Sequence, residues 1–556
     1  MIIKKIFFYL PILLLLNSCQ KEAVNTIGAV VTGHPEATKI GIKVLEKGGT
    51  AIDASIAVQL ALAVCLPNAG NIGGGGFMVA RMNNGEIYAL DFREKAPAQS
   101  RYDMYLDDDG KIIDSLSTYG SLSVGVPGTI DGIFKAHEKF GTISIDTLFN
   151  YAIELAFNGF PITQKQARAF NYYQKDFRKF NPNNNYLQSN HWQEKDTLKQ
   201  PDLANTLKII KKTGRNGFYQ GEVAKSIIET ISPNGIISKS DLENYNAIWR
   251  NPITLDFQNY KLISMPPPSS GGIALSQLLM MLFHFDLHKL KHNSVEYIHL
   301  LSEIEKRVYA DRSMHLGDMD YYNVPVQNLL NPIYNKKRAN RINLKKSTPS
   351  DSISYGKAHF GESEETTHFS IIDNFGNAVS VTTTLNTSYG SKLFVNERGF
   401  LLNNEMDDFS SKPGEPNTYG LLGSKANSIE PGKRMLSSMT PSIIEKDDDL
   451  FLILGSPGGS TIITSVFQTL LNVILFDMDI QSAVDTPRFH HQWKPDYIYL
   501  ERSNTFDSIL QSLFEMGHTT KFRSSMGHVN AIMIDKNNVS TGADRRGDNY
   551  GEITKK

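Results

Sequence analysis

The chain has 556 residues, a formal net charge of -1, 40% hydrophobic residues and 21% charged residues. That length makes either two domains or one large fold with a sizeable core, and the composition is that of a soluble globular enzyme rather than a disordered or membrane-spanning chain. With acids and bases nearly balanced, charge gives no reason to expect nucleic acid or an anionic membrane surface as partner, so function has to be sought in sites.

Lys4 and Lys5 precede an apolar run from Ile6 to Leu16 that contains Pro11 and stops at Asn17-Ser18-Cys19. As a helix that run would reach only about 16 Å, well short of the roughly 30 Å of hydrocarbon a transmembrane helix must cross. It is expected to be an export signal. Leu16-Asn17-Ser18-Cys19 resembles the bacterial lipoprotein box, which implies a signal over residues 1–18, lipidation of Cys19, and a chain held at the cell envelope or in the periplasm. The other of the two cysteines, Cys65, lies in the apolar run Ala61 to Leu66 and is expected to pack in a core, leaving no intrachain disulfide.

Helical periods are expected from about Glu36 to Glu46 and from Ala51 to Val64, broken by Gly48 and Gly49. The Gly-rich stretch Gly70 to Gly76 leads into short strands, Phe77 to Arg81 and Ile87 to Phe92; Gly73 to Gly76 is no phosphate cradle, because no Lys-Ser/Thr follows and strands come next. From about Ser144 to Leu344 the period is mostly helical. Within it Pro266-Pro267-Pro268-Ser269-Ser270-Gly271-Gly272 reads as a stiff loop ending in flexible glycines, before a helix near Ala274. Asp107-Asp108-Asp109-Gly110 and Asp447 to Asp449 lack the remaining spacing of a calcium loop and read as polar turns. Lys345 to Glu365 is polar, without apolar period, and is expected to be an exposed linker where a chain can be cut.

From Thr366 the pattern changes to β-branched alternation, Thr366 to Asp373 and Asn377 to Thr384, joined by Asn374-Phe375-Gly376, a hairpin loop with Gly last. If Asp373 pairs with Asn377, Thr366 falls opposite Thr384; a two-residue turn would place Thr383 there instead. A Thr hydroxyl needs an adjacent base to be a nucleophile. If the chain is cut before Thr366, the freed α-amino group, with an unperturbed pKa of about 7.7 to 8.0, can be that base. The same hydroxyl could first attack the Glu365 carbonyl to make the cut.

Thr366-Thr367-His368-Phe369-Ser370 resembles the first residues of the small subunit of γ-glutamyltranspeptidases, which are N-terminal nucleophile hydrolases. Further matches to that family run in order along the chain: Asn68 to Phe77, Asp91 to Glu94, Met265 to Gly272, Tyr309 to Arg312, Leu401 to Phe409, Leu436 to Met439, Gly455 to Gly459 and Pro487 to His491. The resemblance implies a four-layer αββα sandwich of α/β class, made of two subunits, 19–365 and 366–556, after self-cleavage between Glu365 and Thr366.

Carried over residue by residue, it implies Thr366 as nucleophile with Thr384 as its partner, and Gly458 and Gly459 as oxyanion hole. Arg93, with Ser437 and Ser438, would hold the substrate α-carboxylate. Asp408, Glu405 and Asn386 would hold the α-ammonium group. A planar guanidinium fork matches a carboxylate and an ionised acid matches an ammonium, so clamping both α substituents leaves the side-chain carbonyl to meet Thr366. Pro413 to Lys425, with Tyr419, resembles the family's lid loop. His490-His491 suggests a triad or a metal site, but the Thr366 amine is the expected base and no second ligand motif accompanies the pair. The implied substrates are glutathione and other γ-glutamyl compounds, with water, amino acids or dipeptides as acceptors, and no cofactor or metal is implied. The alternatives are a related acylase, acting on cephalosporin or glutaryl side chains or on poly-γ-glutamate, and an uncut envelope-binding lipoprotein.

Overall fold

A computed structural model describes residues 27–184, 186–189, 191–354, 366–415, 421–536 and 538–555. Cys19, Glu365 and Tyr419, and with them the lipidation site, the cut bond and the tip of the lid, lie outside the described residues.

Two antiparallel sheets form the middle of the molecule. The first has seven strands in the order Tyr550–Ile553, Ala29–Thr32, Thr367–Ile372, Ala378–Thr384, Gly75–Arg81, Ile87–Asp91, Ile248–Arg250. The second has six: Asn538–Ala543, Asn530–Asp535, Asp449–Gly455, Ser442–Lys446, Tyr260–Ser264, Ile253–Phe257. Because side chains alternate across a strand, each sheet has two faces to cover. In the first sheet Val30, Phe369, Ile371, Val379 and Val381 join a core built with helices Pro35–Glu46, Ala51–Cys65 and Ile145–Asn158. Ala29, Val31, Ile372 and Ala378 turn the other way, into a core shared with Leu262, Ile443 and Leu452 of the second sheet. Helices Gly271–Leu282, Val295–His315 and Thr461–Ile474 contribute to that second core from beyond the second sheet. The layers are helix, sheet, sheet, helix.

The helix Ala51–Cys65 is apolar on every side and buried along its whole length, as a helix at the centre of a layer must be. A capping box of Thr50 and Asp53 starts it, and Asp53 also accepts the N–H groups of Thr142 and Ile143, fixing the next loop. Cys65 is buried in this core, where desolvation pushes its thiol pKa well up.

Two expectations need correction and one an addition. The middle of the chain is mostly helical, as expected, but it also holds the strands Ile248–Arg250, Ile253–Phe257 and Tyr260–Ser264, the first an edge of one sheet and the others an edge of the second. They are too short to show a period. Gly271 and Gly272 are not flexible spacers but the first turn of the helix, where a Cβ at Gly271 would run into Thr440. The beginning of the expected linker is not loose either. Ser350 and Ile353 are buried, and Lys306 Nζ donates to Ser347 Oγ at 2.8 Å and to Thr348 O at 2.9 Å.

Candidate active site

The hairpin that carries Thr366 is locked by Asp373. Its Oδ1 accepts the N–H groups of Phe375 and Asn377, both at 2.9 Å, its Oδ2 accepts from Asn377 Nδ2 at 2.7 Å, and Gly376 takes the left-handed turn position at φ 87°. Ile372 pairs with Ala378 and Thr367 with Thr383, so Thr366 does fall opposite Thr384, with their Oγ1 atoms 3.5 Å apart. Thr384 Oγ1 also accepts from Asn386 N at 2.7 Å. Thr366 is on the same face as His368 and Ser370, and that face looks at the second sheet: Ser370 Oγ donates to Asn530 O and Ser380 Oγ to Leu454 O. Thr366 therefore opens between the two sheets, at one end of the strand pair.

The glycine-rich stretch is explained by crowding there. A Cβ on Gly74 would collide with the Thr384 carbonyl oxygen, so only glycine lets this backbone pass behind the threonine pair. Asn403 ties the next wall to it, donating to Gly73 O and Gly125 O and accepting from Glu405 N. That wall is the single turn Glu405–Asp408, and Asn404 O accepts from Asn386 Nδ2 at 2.9 Å.

Arg93 follows the strand Ile87–Asp91 and is completely buried. Asp91 Oδ1 accepts its backbone N–H, and its side chain pairs with Glu405 through Nη1 and Asp408 through Nη2, with Glu94 3.5 Å away. Burial works against all four charges. It raises the carboxyl groups despite the arginine beside them, Glu94 to about 7 and Asp408 to about 6, and Glu405 is raised as well. Arg93 resists the same burial because three acids surround it, and its pKa is held up. Asp407, next to Asp408, turns away to accept from Ser117 Oγ at 2.6 Å.

Opposite this cluster lie Ser437 and Ser438. The Pro266–Gly272 loop holds their backbone, Ser437 N donating to Pro268 O and Ser270 N to Ser437 O. Asn427 supplies a further clamp, with Nδ2 on Asp408 O and Oδ1 on Leu436 N. Gly458 and Gly459, with φ 127° and 52°, leave the strand Asp449–Gly455 and enter the helix Thr461–Ile474. Among the described residues no acceptor takes either N–H, and they sit at the positive end of that helix. Tyr309 Oη donates to Ser460 O and steadies this turn.

One pocket, with an empty volume of about 300 Å³, is lined by Thr366, Thr384, Arg93, Asn386, Glu405, Asp408, Ser437, Ser438 and Gly459, together with Arg312 and Leu421. Gly458 stands next to it in the chain. Leu421 belongs to the segment resembling a lid, whose described flanks are pinned by Gly414 N donating to Gly423 O at 2.9 Å. Sequence reasoning did not assign Arg312, Tyr309 or Asn427. The first two are three residues apart on one helix, a spacing that puts them on one face and was available as a signal. His490 and His491 are buried elsewhere, hydrogen-bonded to Thr464, Gln492 and Asp496, and burial lowers them to about 3 and about 4. Among the described residues no cluster of three or more His, Cys, Asp or Glu is placed to hold a metal.

A threonine opening between two sheets of an αββα sandwich, beside a helix N-terminus and facing a charged pocket, defines an N-terminal nucleophile hydrolase. The profile described as Gamma-glutamyltranspeptidase matches residues 37–553, and the chain belongs to that family. It is 43% identical over 523 residues to a glutathione hydrolase proenzyme of Escherichia coli, covering 93% of this chain and 90% of that protein. A glutathione hydrolase proenzyme of Pseudomonas aeruginosa is also 43% identical, over 535 residues and 95% of each chain. Among solved structures, γ-glutamyltranspeptidase of Helicobacter pylori is similar with a TM-score of 0.57 and 45% identity over 58% of this chain and 93% of that one. Cephalosporin acylase of Bacillus halodurans shares the fold, with a TM-score of 0.82, 23% identity, and 95% and 96% of the two chains covered.

Proposed function

We propose that this chain is a proenzyme that cuts itself between Glu365 and Thr366 and then acts as a γ-glutamyltransferase and glutathione hydrolase. The observation that carries this reading is the convergence, in one pocket, of the Thr366–Thr384 pair with a buried arginine, two acids and two serines, with Gly459 at its edge. The glutathione hydrolase proenzymes that it resembles over nearly their full length support the substrate and the processing.

In maturation the Thr366 hydroxyl attacks the Glu365 carbonyl, its proton passing to the departing amide nitrogen, and water opens the resulting ester. The freed α-amino group then takes the hydroxyl proton as Thr366 attacks the γ-carbonyl of the donor. The Gly458 and Gly459 N–H groups receive the oxyanion, a kind of donor whose loss typically costs about 2.7 to 4 kcal/mol. The amine leaves with the proton, cysteinylglycine in the case of glutathione, and water or the amino group of an amino acid or dipeptide takes the γ-glutamyl group from Thr366. Arg93, Ser437 and Ser438 face the α-carboxylate, and Asp408, Glu405 and Asn386 the α-ammonium. In the same reading the enzyme is a heterodimer of residues 19–365 and 366–556, exported, with a lipid on Cys19 and a lid that includes Tyr419.

Intact mass and N-terminal sequencing of the purified protein test the first step. The expected result is two chains, the smaller beginning at Thr366, with Thr366→Ala uncut and inactive. A single unbroken chain, or normal processing of Thr366→Ala, would refute self-cleavage by this residue. Rates on γ-glutamyl anilide against glutaryl anilide separate this activity from that of an acylase, since only the first donor offers an α-ammonium group.

A further inference from the structure

The helix Val295–His315 brings a cation to the pocket that the proposed reaction leaves without work. Arg312 is 4% exposed and lines the same cavity as Thr366. Its Nε donates to Ser270 Oγ at 2.9 Å and its Nη2 to Ser438 Oγ at 3.0 Å, while Nη1 has no acceptor among the described residues. No carboxylate among them lies within ion-pair distance, whereas Arg93 is engaged by both Glu405 and Asp408. A buried cation whose hydrogen-bond partners among the described residues are hydroxyl groups, with Asp408 acting on it only from beyond ion-pair distance, is costly, and an anion entering the pocket would offset that cost.

Its effect on Ser438 is specific. A hydroxyl has one proton, and with its oxygen accepting from Arg312 the proton remains to be donated. The neighbouring Ser437 oxygen accepts from Met439 N at 3.1 Å, which leaves its proton to donate as well. Two hydroxyl donors side by side, backed by an unpaired guanidinium, make a receptor for a carboxylate. Burial lowers the pKa of Arg312 to about 10, which still leaves it charged near neutrality.

We infer that Arg312 is a positioning residue for the α-carboxylate of the donor: it directs the Ser438 hydroxyl at that group and adds positive charge to that of Arg93, which is shared with two acids. This rests on the reading of the site as a γ-glutamyl pocket. Arg93 then faces the carboxylate directly, and Arg312 acts on it through the Ser438 hydroxyl.

The test compares two donors that differ only in the α-carboxylate, γ-glutamyl p-nitroanilide and 4-aminobutyryl p-nitroanilide. Arg312→Gln should lower the ratio of their kcat/KM values on the order of ten- to a hundredfold, the scale of one charge-assisted contact, mostly through a higher KM for the γ-glutamyl donor. Arg312→Lys keeps the charge but cannot span Ser270 and Ser438, and should fall between. Equal losses on both donors, with the ratio unchanged, would make Arg312 a structural brace and overturn the inference. If the Gln variant does not accumulate, the Lys variant decides by the same ratio. If the truncated donor reacts too slowly, the ratio of inhibition constants for L-glutamate and 4-aminobutanoate replaces it. Failure of the underlying reading would appear earlier, as an unaltered enzyme that does not hydrolyse the γ-glutamyl donor.

Discussion

At the scale of single residues, the pocket gathers three carboxyl groups, Glu94, Glu405 and Asp408, around Arg93. Burial raises all three, helped by repulsion from Asp408 at Glu94 and Glu405 and from Asp407 at Asp408, so they take up protons at a pH where an exposed acid would not. The sign follows directly. Asp408, pushed up to about 6, is an anion above that pH and loses its attraction for an ammonium group as pH falls through it. The KM for γ-glutamyl anilide is therefore expected to rise as pH drops from 7.5 to about 5.5, by up to about tenfold per unit below the pKa. Glutaryl anilide, which lacks the ammonium, should not show this acid limb, and a shared limb in the two steady-state profiles would contradict the assignment. Thr384 touches Thr366 itself. Thr384→Ala removes the oxygen opposite Thr366 and should lower kcat on the order of ten- to a hundredfold, with Thr384→Ser retaining most of it.

At the scale of elements, the hairpin shows what a sequence can disclose. Gly376 and the two β-branched runs narrowed the residue facing Thr366 to Thr384 or Thr383, and the observed pairing of Thr367 with Thr383 selects Thr384, because the turn fixes register and register fixes every facing pair. The threefold grip of Asp373 that enforces this turn was not legible, since an Asp at a strand end has many uses. The strands between Ile248 and Ser264 were missed because they are three to five residues long and take their stability from neighbouring strands, not from a period. Ordered matches to the family named most of the site, while the helix Val295–His315 supplied parts that no local pattern marks. Tyr309 holds the Ser460 turn that follows Gly458 and Gly459, and Arg312, on the same face, holds Ser438. Tyr309→Phe removes only the hydroxyl that steadies Ser460. It should lower kcat by about fivefold with KM little changed, the effect of about 1 kcal/mol on a group used in the transition state. A change confined to KM would place Tyr309 outside that role.

At the scale of the whole molecule, the proposed cut before Thr366 would fall in a fold that the two pieces share strand by strand. In the first sheet Ala29–Thr32, from the N-terminal piece, lies between Tyr550–Ile553 and Thr367–Ile372 of the C-terminal piece. Ala378–Thr384 in turn pairs with Gly75–Arg81, and in the second sheet Ser442–Lys446 pairs with Tyr260–Ser264. Separating the pieces would break these ladders and open both hydrophobic cores, each of which contains residues from both sides of the cut. The start of the linker segment strengthens this arrangement, because Lys306 and Glu303 hold residues 347–348 against the long helix whatever happens further along. The proposed cleavage would thus change the chemistry at Thr366 without dividing the core. The cleaved enzyme should run as two bands on a denaturing gel, elute as one species under native conditions, and unfold in a single cooperative transition. Two resolved melting transitions, or loss of one chain during native chromatography, would show that the pieces fold independently.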